Sequence, residues 1–183
     1  SYSVTGVQTC ALPISPELAV AAAQELINRS GVAALVGPPI SAQAIPVAQL
    51  AARAGIPMVT QLATHPDVTR GLHGVVRVCF VDDFQGAVLA RFALERLEAK
   101  RAALLYDETS PFPRSLAAVF RARFEDGGGS VVASIPFTAG QVDFGEEIGR
   151  IASARPDVLF LPAYREDLLA IGEIGRASCR ERV

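Results

Sequence analysis

Apolar positions recur at helical spacing over residues 16–28, where Leu18, Ala22, Leu26 and Ile27 share one side and Pro16 suits a first-turn position. Ser30-Gly31 closes that helix. Residues 32–36 (Val-Ala-Ala-Leu-Val) then form a short apolar run of the buried-strand type, halted by Gly37-Pro38-Pro39. The pattern continues as a helix over 41–54, a strand over 57–61, a turn-rich stretch over 64–74 and a strand over 75–79. Asp82 or Asp83 suits the N-cap of a further helix that carries Leu89, Phe92, Ala93 and Leu97 along one face. A strand follows over 102–106, then a helix over 115–124 ended by Gly127-Gly128-Gly129, and a strand over 131–135. A helix over 143–152, a strand over 157–161 and a helix opening at Arg165 complete the pattern. Such alternation predicts an α/β fold with parallel sheets covered by helices on both faces. A change of lobe is expected near Val81, where a strand hands over to a helix without a tight turn. That divides the chain into lobes over 16–81 and 82–172.

The stretch from Gly37 to Pro66 places two hydroxyls in comparable settings. Pro46 lacks an N–H and is expected within the first turn of its helix, which puts Ser41 at the helix mouth. Free backbone N–H groups and the positive end of the dipole favour an anion there. Gly55 ends the helix, and Thr64 lies in the loop after the next strand. Two parallel strands would thus offer Ser41 and Thr64 from their carboxyl ends, where open α/β sheets bind ligands. Plainer roles fit the same residues. Ser41 suits a helix start, Thr64 a hydroxyl turn before Pro66, and Tyr164 a packing position ahead of a helix.

The two ends read differently. Residues 4–14 (Val-Thr-Gly-Val-Gln-Thr-Cys-Ala-Leu-Pro-Ile) look like one reading frame of a common short-read sequencing adapter, and residues 173–183 like a frame of its partner. Residues 1–15 and 173–183 are therefore expected to be extraneous, with the natural gene continuing on both sides. Both lobes of the fold would then need further chain. Setting the ends aside removes Arg176, Arg180, Arg182, Glu173 and Glu181, which moves the formal charge from −2 to −3. Mild acidity of this kind argues against a nucleic-acid partner, which calls for a clustered basic face. Half the residues are hydrophobic, yet no apolar run approaches the roughly 18 residues of a membrane span. Cys10 and Cys179 fall in the adapter-like ends, so Cys79 has no partner for a disulfide between 16 and 172. His65, His73 and Cys79 show no metal-ligand rhythm. The triple glycine follows a helix and precedes a strand, the reverse of a phosphate-binding fingerprint. Asp82-Asp83 and Glu146-Glu147 fit acids at helix starts.

In order and spacing, several motifs resemble the type I periplasmic-binding-protein family, specifically the branched-chain amino acid receptors of ABC transporters. They are Val36-Gly37-Pro38 with Ser41; Gly55-Ile56-Pro57 with Ala63-Thr64-His65-Pro66; and Arg77-Val78-Cys79-Phe80 with Asp82 and Phe84-Gln85-Gly86. Leu105-Tyr106-Asp107 with Leu116-Ala117, Thr138-Ala139-Gly140 with Asp143-Phe144, and Arg155-Pro156-Asp157 leading into Phe160-Leu161-Pro162-Ala163-Tyr164 extend the match. The resemblance implies a two-lobed fold, incomplete at both ends here, that holds an amino acid or similar small polar molecule between its lobes. It implies a ligand carboxylate gripped by the loops of Ser41 and Thr64, with Ala63 in the second of these. The ammonium would meet the carbonyl near Leu62 and the Thr64 hydroxyl. Aromatic residues at Phe112 and Tyr164 would come from the second lobe. Phe112 stands where the family usually has tyrosine, in a loop stiffened by Pro111 and Pro113. A second-lobe carboxylate that pairs with the ammonium is expected beyond Gly172.

The resemblance further implies a periplasmic or extracytoplasmic receptor that delivers its ligand to an ABC transporter permease, with no cofactor and no catalysis. The same fold also serves as the ligand-sensing domain of receptors and transcription regulators, and flanking sequence would separate the two readings. A nucleotide-dependent enzyme ranks last, since the chain lacks a glycine fingerprint, an activated nucleophile and an acid/base pair.

Overall fold

The chain runs α1 (Pro16–Asn28), β1 (Leu35–Val36), α2 (Ser41–Ala54), β2 (Met58–Thr60), β3 (Val75–Arg77), α3 (Asp82–Glu95), β4 (Arg101–Asp107), α4 (Pro111–Asp126), β5 (Ser130–Phe137), α5 (Gly145–Ala154), β6 (Val158–Phe160) and α6 (Arg165–Arg180), with a 3-10 turn at Pro66–Val68. This computed structural model describes residues 15–28 and 32–180, with side chains through residue 172. The helix stop at Ser30-Gly31, Cys10 and the Cys179 side chain lie outside the described residues.

Two parallel three-stranded sheets form, ordered β1-β2-β3 and β5-β4-β6. In the first, Leu35 registers with Met58 and Met58 with Val75. All three are buried against Ala23 of α1 and Ala44, Val47, Ala48 and Ala51 of α2. The next register, Val36–Val59–Val76, faces the opposite way, and Val36 and Val76 are 83% and 53% exposed. The expected cover on both faces is therefore absent from this sheet among the described residues. Both of its helices lie on one side, and the β2–β3 connection holds only the 3-10 turn.

The second sheet is covered on both faces. Ala102 and Leu104 pack on one side with Ala90 and Ala93 of α3 and Phe120 and Phe124 of α4. Ala103 and Leu105 pack on the other with Ile135, Phe137, Phe144, Ile151 and Ile171. The Phe120 ring stacks on Phe160 at 4.0 Å and on Phe124 at 5.5 Å.

Local differences from the sequence pattern have physical causes. Helix α2 begins at Ser41, so Pro46 sits in its second turn rather than its first. The helix tolerates this by losing the single bond that residue 46 would have donated to the Ala42 carbonyl. Helix α3 buries Gly86, Ala90 and Ala93 and leaves Phe92 exposed, while Leu97 falls beyond its end. Small residues face inward because α4 comes close: a Cβ on Gly86 would sit 2.7 Å from Val119 Cγ1. The α3 N-cap is Val81, not Asp82 or Asp83, since the Asp82 side chain turns inward and caps nothing. Helix α4 opens at Pro111, four residues earlier than the pattern suggests. Prolines 111 and 113 are accommodated among the N–H groups a first turn leaves free, so Phe112 is helical rather than in a stiffened loop. The helix opening at Arg165 continues as backbone to Arg180.

Candidate functional site

Strand β1 ends at Val36 and is followed by Gly37, whose φ of +98° is open to glycine and strained for other residues. The chain turns there into Pro38-Pro39-Ile40, which leads into α2. Thr60, at the end of β2, donates its hydroxyl to the Pro38 carbonyl at 2.7 Å and pins this loop to the neighbouring strand. Ser41 is the first residue of α2 and is 2% exposed. The cap position itself is Ile40, which makes no side-chain bond. Ser41 Oγ instead accepts the His65 N–H at 3.2 Å, which ties the mouth of α2 to the loop after β2.

That second loop is held by Arg77. Its guanidinium donates to the carbonyls of Ala63 and His65, both at 2.9 Å, to Pro66 at 3.1 Å and to the Thr69 hydroxyl at 2.7 Å. His65 Nδ1 accepts the Asp67 N–H at 3.2 Å, and the Thr64 carbonyl accepts the Asp82 N–H at 3.1 Å. The loop carrying Thr64 is thus fixed from three sides.

Ser41, Leu62, Thr64, Phe112 and Tyr164 line one cleft of about 430 Å³. The first three come from the first sheet's loops. Phe112 belongs to α4 and Tyr164 precedes α6, and their rings lie 5.7 Å apart at 48°. Pro39, Ile40, Phe80 and Gln85 complete the lining. Ala63 takes another position: it is fully buried in the first core, and its carbonyl serves Arg77. A larger but open groove of about 600 Å³ runs between β5 and α5, away from all of these residues. Among the described residues no group of three or more His, Cys, Asp or Glu could hold a metal ion.

Behind the cleft lie two carboxylates. Asp82 is fully buried, and burial pushes its carboxyl above the usual range. The hydroxyls of Thr64 and Ser115 lie alongside and, with His65, oppose that rise, whereas Asp83 adds to it. Neither hydroxyl reaches an Asp82 oxygen with full hydrogen-bond geometry, so both oxygens remain without a partner. Asp107 Oδ1 accepts the backbone N–H and the hydroxyl of Thr109, at 2.8 and 2.6 Å, while Oδ2 is buried and unpaired. The Tyr164 hydroxyl is also buried without a partner, and its pKa is pushed up to about 12 by burial and then by Asp107, with Asp82 a smaller contributor.

The sequence reading passed over Arg77, Asp82 and Asp107 as site-builders. Arg77 had one usable signal, a charge closing the apolar strand Val75-Val76. Asp82 had none that separated it from an ordinary acid at a helix start. The geometry joins a helix mouth and hydroxyls on one side to aromatic rings on the other, with carboxylates underneath. Such a cleft can hold a small polar molecule, and its lining among the described residues holds no nucleophile–base pair.

Comparison with known proteins gives a consistent picture. The family model described as periplasmic binding protein matches residues 14–172. The chain is 37% identical over 153 residues to the Leu/Ile/Val-binding protein BraC3 of Rhizobium johnstonii, covering 83% of this chain and 41% of that protein. It therefore spans less than half the length of that curated relative. The branched-chain amino acid transporter substrate binding protein LivJ of Streptococcus pneumoniae, solved in complex with isoleucine, superposes with a TM-score of 0.82 at 28% identity, over 89% of this chain and 46% of that one. An ABC transporter solute binding protein from R. palustris, solved in complex with 4-hydroxybenzoate, gives 0.73 at 29% identity, over 80% and 39%. These relatives are binding proteins rather than enzymes.

Proposed function

The chain belongs to the periplasmic binding protein family, and from that premise we propose that it supplies the ligand cleft of an ABC importer's substrate-binding component. The receptor works outside the cytoplasm, holds an amino acid or similar small polar molecule between its two lobes, and presents it to a membrane permease. No helix among the described residues is long and apolar enough to cross a membrane. The observation that carries this reading is the shared cleft, with Ser41 and Thr64 on one wall and Phe112 and Tyr164 on the other.

In this mechanism the ligand carboxylate sits at the mouth of α2. The helix dipole and the Ser41 hydroxyl favour negative charge there. The ammonium lies towards the Leu62 carbonyl and the Thr64 hydroxyl. Hydrogen bonds to a charged group contribute about 1.5–3 kcal/mol each, so three or four support micromolar affinity without trapping the ligand. Phe112 and Tyr164 then cover the ligand as the lobes close by a hinge motion. The relatives' ligands, isoleucine in one and 4-hydroxybenzoate in another, both carry a carboxylate, which suits the same helix mouth.

The test is a calorimetric screen of aliphatic amino acids, amides and small carboxylates on the full-length protein, repeated with Thr64→Ala. The variant is expected to weaken the best ligand by roughly ten- to a hundredfold, the effect of one charge-assisted hydrogen bond. Unchanged affinity removes Thr64 from the site.

A further inference from the structure

Tyr164 holds the cap position of α6, where its carbonyl accepts the Leu168 N–H at 3.0 Å, the first bond of that helix. The turn that follows has little apolar anchorage. Arg165 and Glu166 are exposed, Leu168 and Leu169 are 41% and 57% exposed, and contact with the core resumes only at Ala170 and Ile171. Asp167 is the exception, at 6% exposure. An acidic side chain at the third helical position can turn back to the N–H of its own cap residue. Asp167 does otherwise: its Oδ1 accepts the Gly140 N–H at 3.2 Å, from the loop after β5.

That loop is shaped to receive the carboxylate. Residues 138–141 form a turn closed by the Gln141 N–H on the Thr138 carbonyl at 3.1 Å, with Gly140 at a φ of +82° that favours glycine. The turn is fixed in its own right, since Gln141 Nε2 donates to the Asp143 carbonyl at 2.7 Å and to Glu147 Oε1 of α5 at 2.9 Å. The α6 dipole favours negative charge at Asp167, which offsets part of the cost of burying it. Tyr164 has no polar anchor of its own, because its hydroxyl lacks a partner among the described residues. We propose that Asp167 is a positioning residue for ligand binding: by clamping the first turn of α6 to the turn over 138–141, it holds the Tyr164 ring beside Phe112 as a preformed wall of the cleft. A wall that covers the ligand as the lobes close acts on how long the ligand stays, so the clamp governs dissociation more than association. The proposal rests on the reading of the cleft as a ligand site.

Isoleucine is the probe, with 4-hydroxybenzoate in its place if isoleucine does not bind, and both rates are measured on the full-length protein. Asp167→Ala is expected to weaken binding about tenfold, through faster dissociation, with association changed less than about threefold. Alanine suits the first turn of a helix, so folding is not threatened. Asp167→Asn keeps an oxygen that can accept the Gly140 N–H and should stay within about threefold of wild type. In a Tyr164→Ala background, Asp167→Ala should add less than about twofold, because the two residues act through one contact. Full additivity there overturns the proposal. So does an Asp167→Ala variant that binds like wild type, or an Asp167→Asn variant as weak as Asp167→Ala. Labelling with 3-fluorotyrosine reads the ring without ligand. The Tyr164 fluorine resonance, identified by its absence in Tyr164→Phe, should be single in wild type and Asp167→Asn, and broadened or split in Asp167→Ala. A resonance unchanged by Asp167→Ala overturns the positioning role. Failure of the cleft reading looks different: Tyr164→Ala would leave affinity for the probe unchanged while the fluorine signal still responds to Asp167→Ala.

Discussion

The two sheets are built from similar residues and differ in how they are held. In the second, every residue from Ala102 to Leu105 is buried, with successive side chains entering two separate cores. In the first, alternate residues part company: Leu35, Met58 and Val75 are buried, while Val36 and Val76 face outward. The second lobe therefore presents Phe112 and Tyr164 from a packed body with its ring stack of Phe120, Phe124 and Phe160. The first presents Ser41 and Thr64 from loops fixed by hydrogen bonds, through Thr60, Arg77 and the Ser41–His65 link. One wall of the cleft depends on packing and the other on polar stitching. Substitutions should separate the two.

The largest contrast is expected between matched charge insertions. Leu105→Asp puts an unpaired carboxylate into a core that admits no water, a loss of at least about 4 kcal/mol, and should abolish cooperative unfolding of the second lobe. Val76→Asp, on the open face of the first sheet, should leave circular dichroism unchanged. The exposed apolar run of Val36, Val76 and Val78 also predicts that the 183-residue chain associates as its concentration rises. Val76→Asp should reduce that association in sedimentation experiments. Equal damage from the two substitutions would erase the distinction between the sheets.

Next comes Arg77→Met, which keeps the apolar stem and removes four hydrogen bonds from the Thr64 loop. Such bonds are not additive, and a loss of about 2–4 kcal/mol is expected, centred on residues 63–69. Hydrogen exchange should show faster amides in that loop and little change in β4. A uniform change across both lobes would mean that the stitching is not local.

The same contrast explains what could be read from the sequence. Element type followed from periodicity, because strand and helix runs such as 102–106 and 16–28 are strongly patterned. Facing did not. Val-Ala-Ala-Leu-Val before Gly37 reads like a fully buried strand, yet only Leu35–Val36 is strand and only Leu35 is buried. Whether a second layer covers a face depends on elements distant in the chain, which local periodicity does not encode. Leu89, Phe92 and Leu97 pointed to a bulky inner face on α3, and the close approach of α4 selected Gly86, Ala90 and Ala93 instead. At the site, the motif resemblance brought Ser41, Leu62, Thr64, Phe112 and Tyr164 to notice. The carboxylates beneath them were hidden, since nothing local separates the buried Asp82 from an ordinary exposed acid at a helix start.

Gly86→Ala should have a moderate effect confined to the packed lobe. The added Cβ would lie 2.7 Å from Val119 Cγ1, 2.8 Å from Val119 Cβ and 3.1 Å from the Phe120 nitrogen. Overpacking of this kind costs typically 1–3 kcal/mol. Adding Val119→Ala should recover only part of the loss in urea unfolding, because the Cβ and the backbone nitrogen stay in the way. Full recovery would place the constraint in the Val119 side chain alone.

The smallest effect is a difference in how two aspartates respond to pH. Asp82 is raised by burial, with Asp83 adding to the rise and Thr64, Ser115 and His65 opposing it. Asp157, exposed at the lower end of the second sheet, is lowered because it accepts the Lys100 and Arg101 N–H groups, both at 2.8 Å. The signs are opposite. For Asp82 the folded state holds its proton more tightly than the unfolded chain, whose carboxylate titrates near about 3.9. Its contribution is complete below that pH and is lost as pH rises through the elevated folded value. For Asp157 the contribution is present above the unfolded value and is lost as pH falls through the lowered one. Urea midpoints of wild type, Asp82→Asn and Asp157→Asn between about pH 3 and 8 should therefore diverge in opposite directions. Asp82→Asn should gain on wild type towards neutral pH, where the unpaired carboxylate is ionised, and Asp157→Asn should lose on wild type over the same range. If the Asp82→Asn and wild-type profiles run parallel, Asp82 keeps one protonation state across the range, and its buried oxygens have a compensating partner that the folded chain supplies.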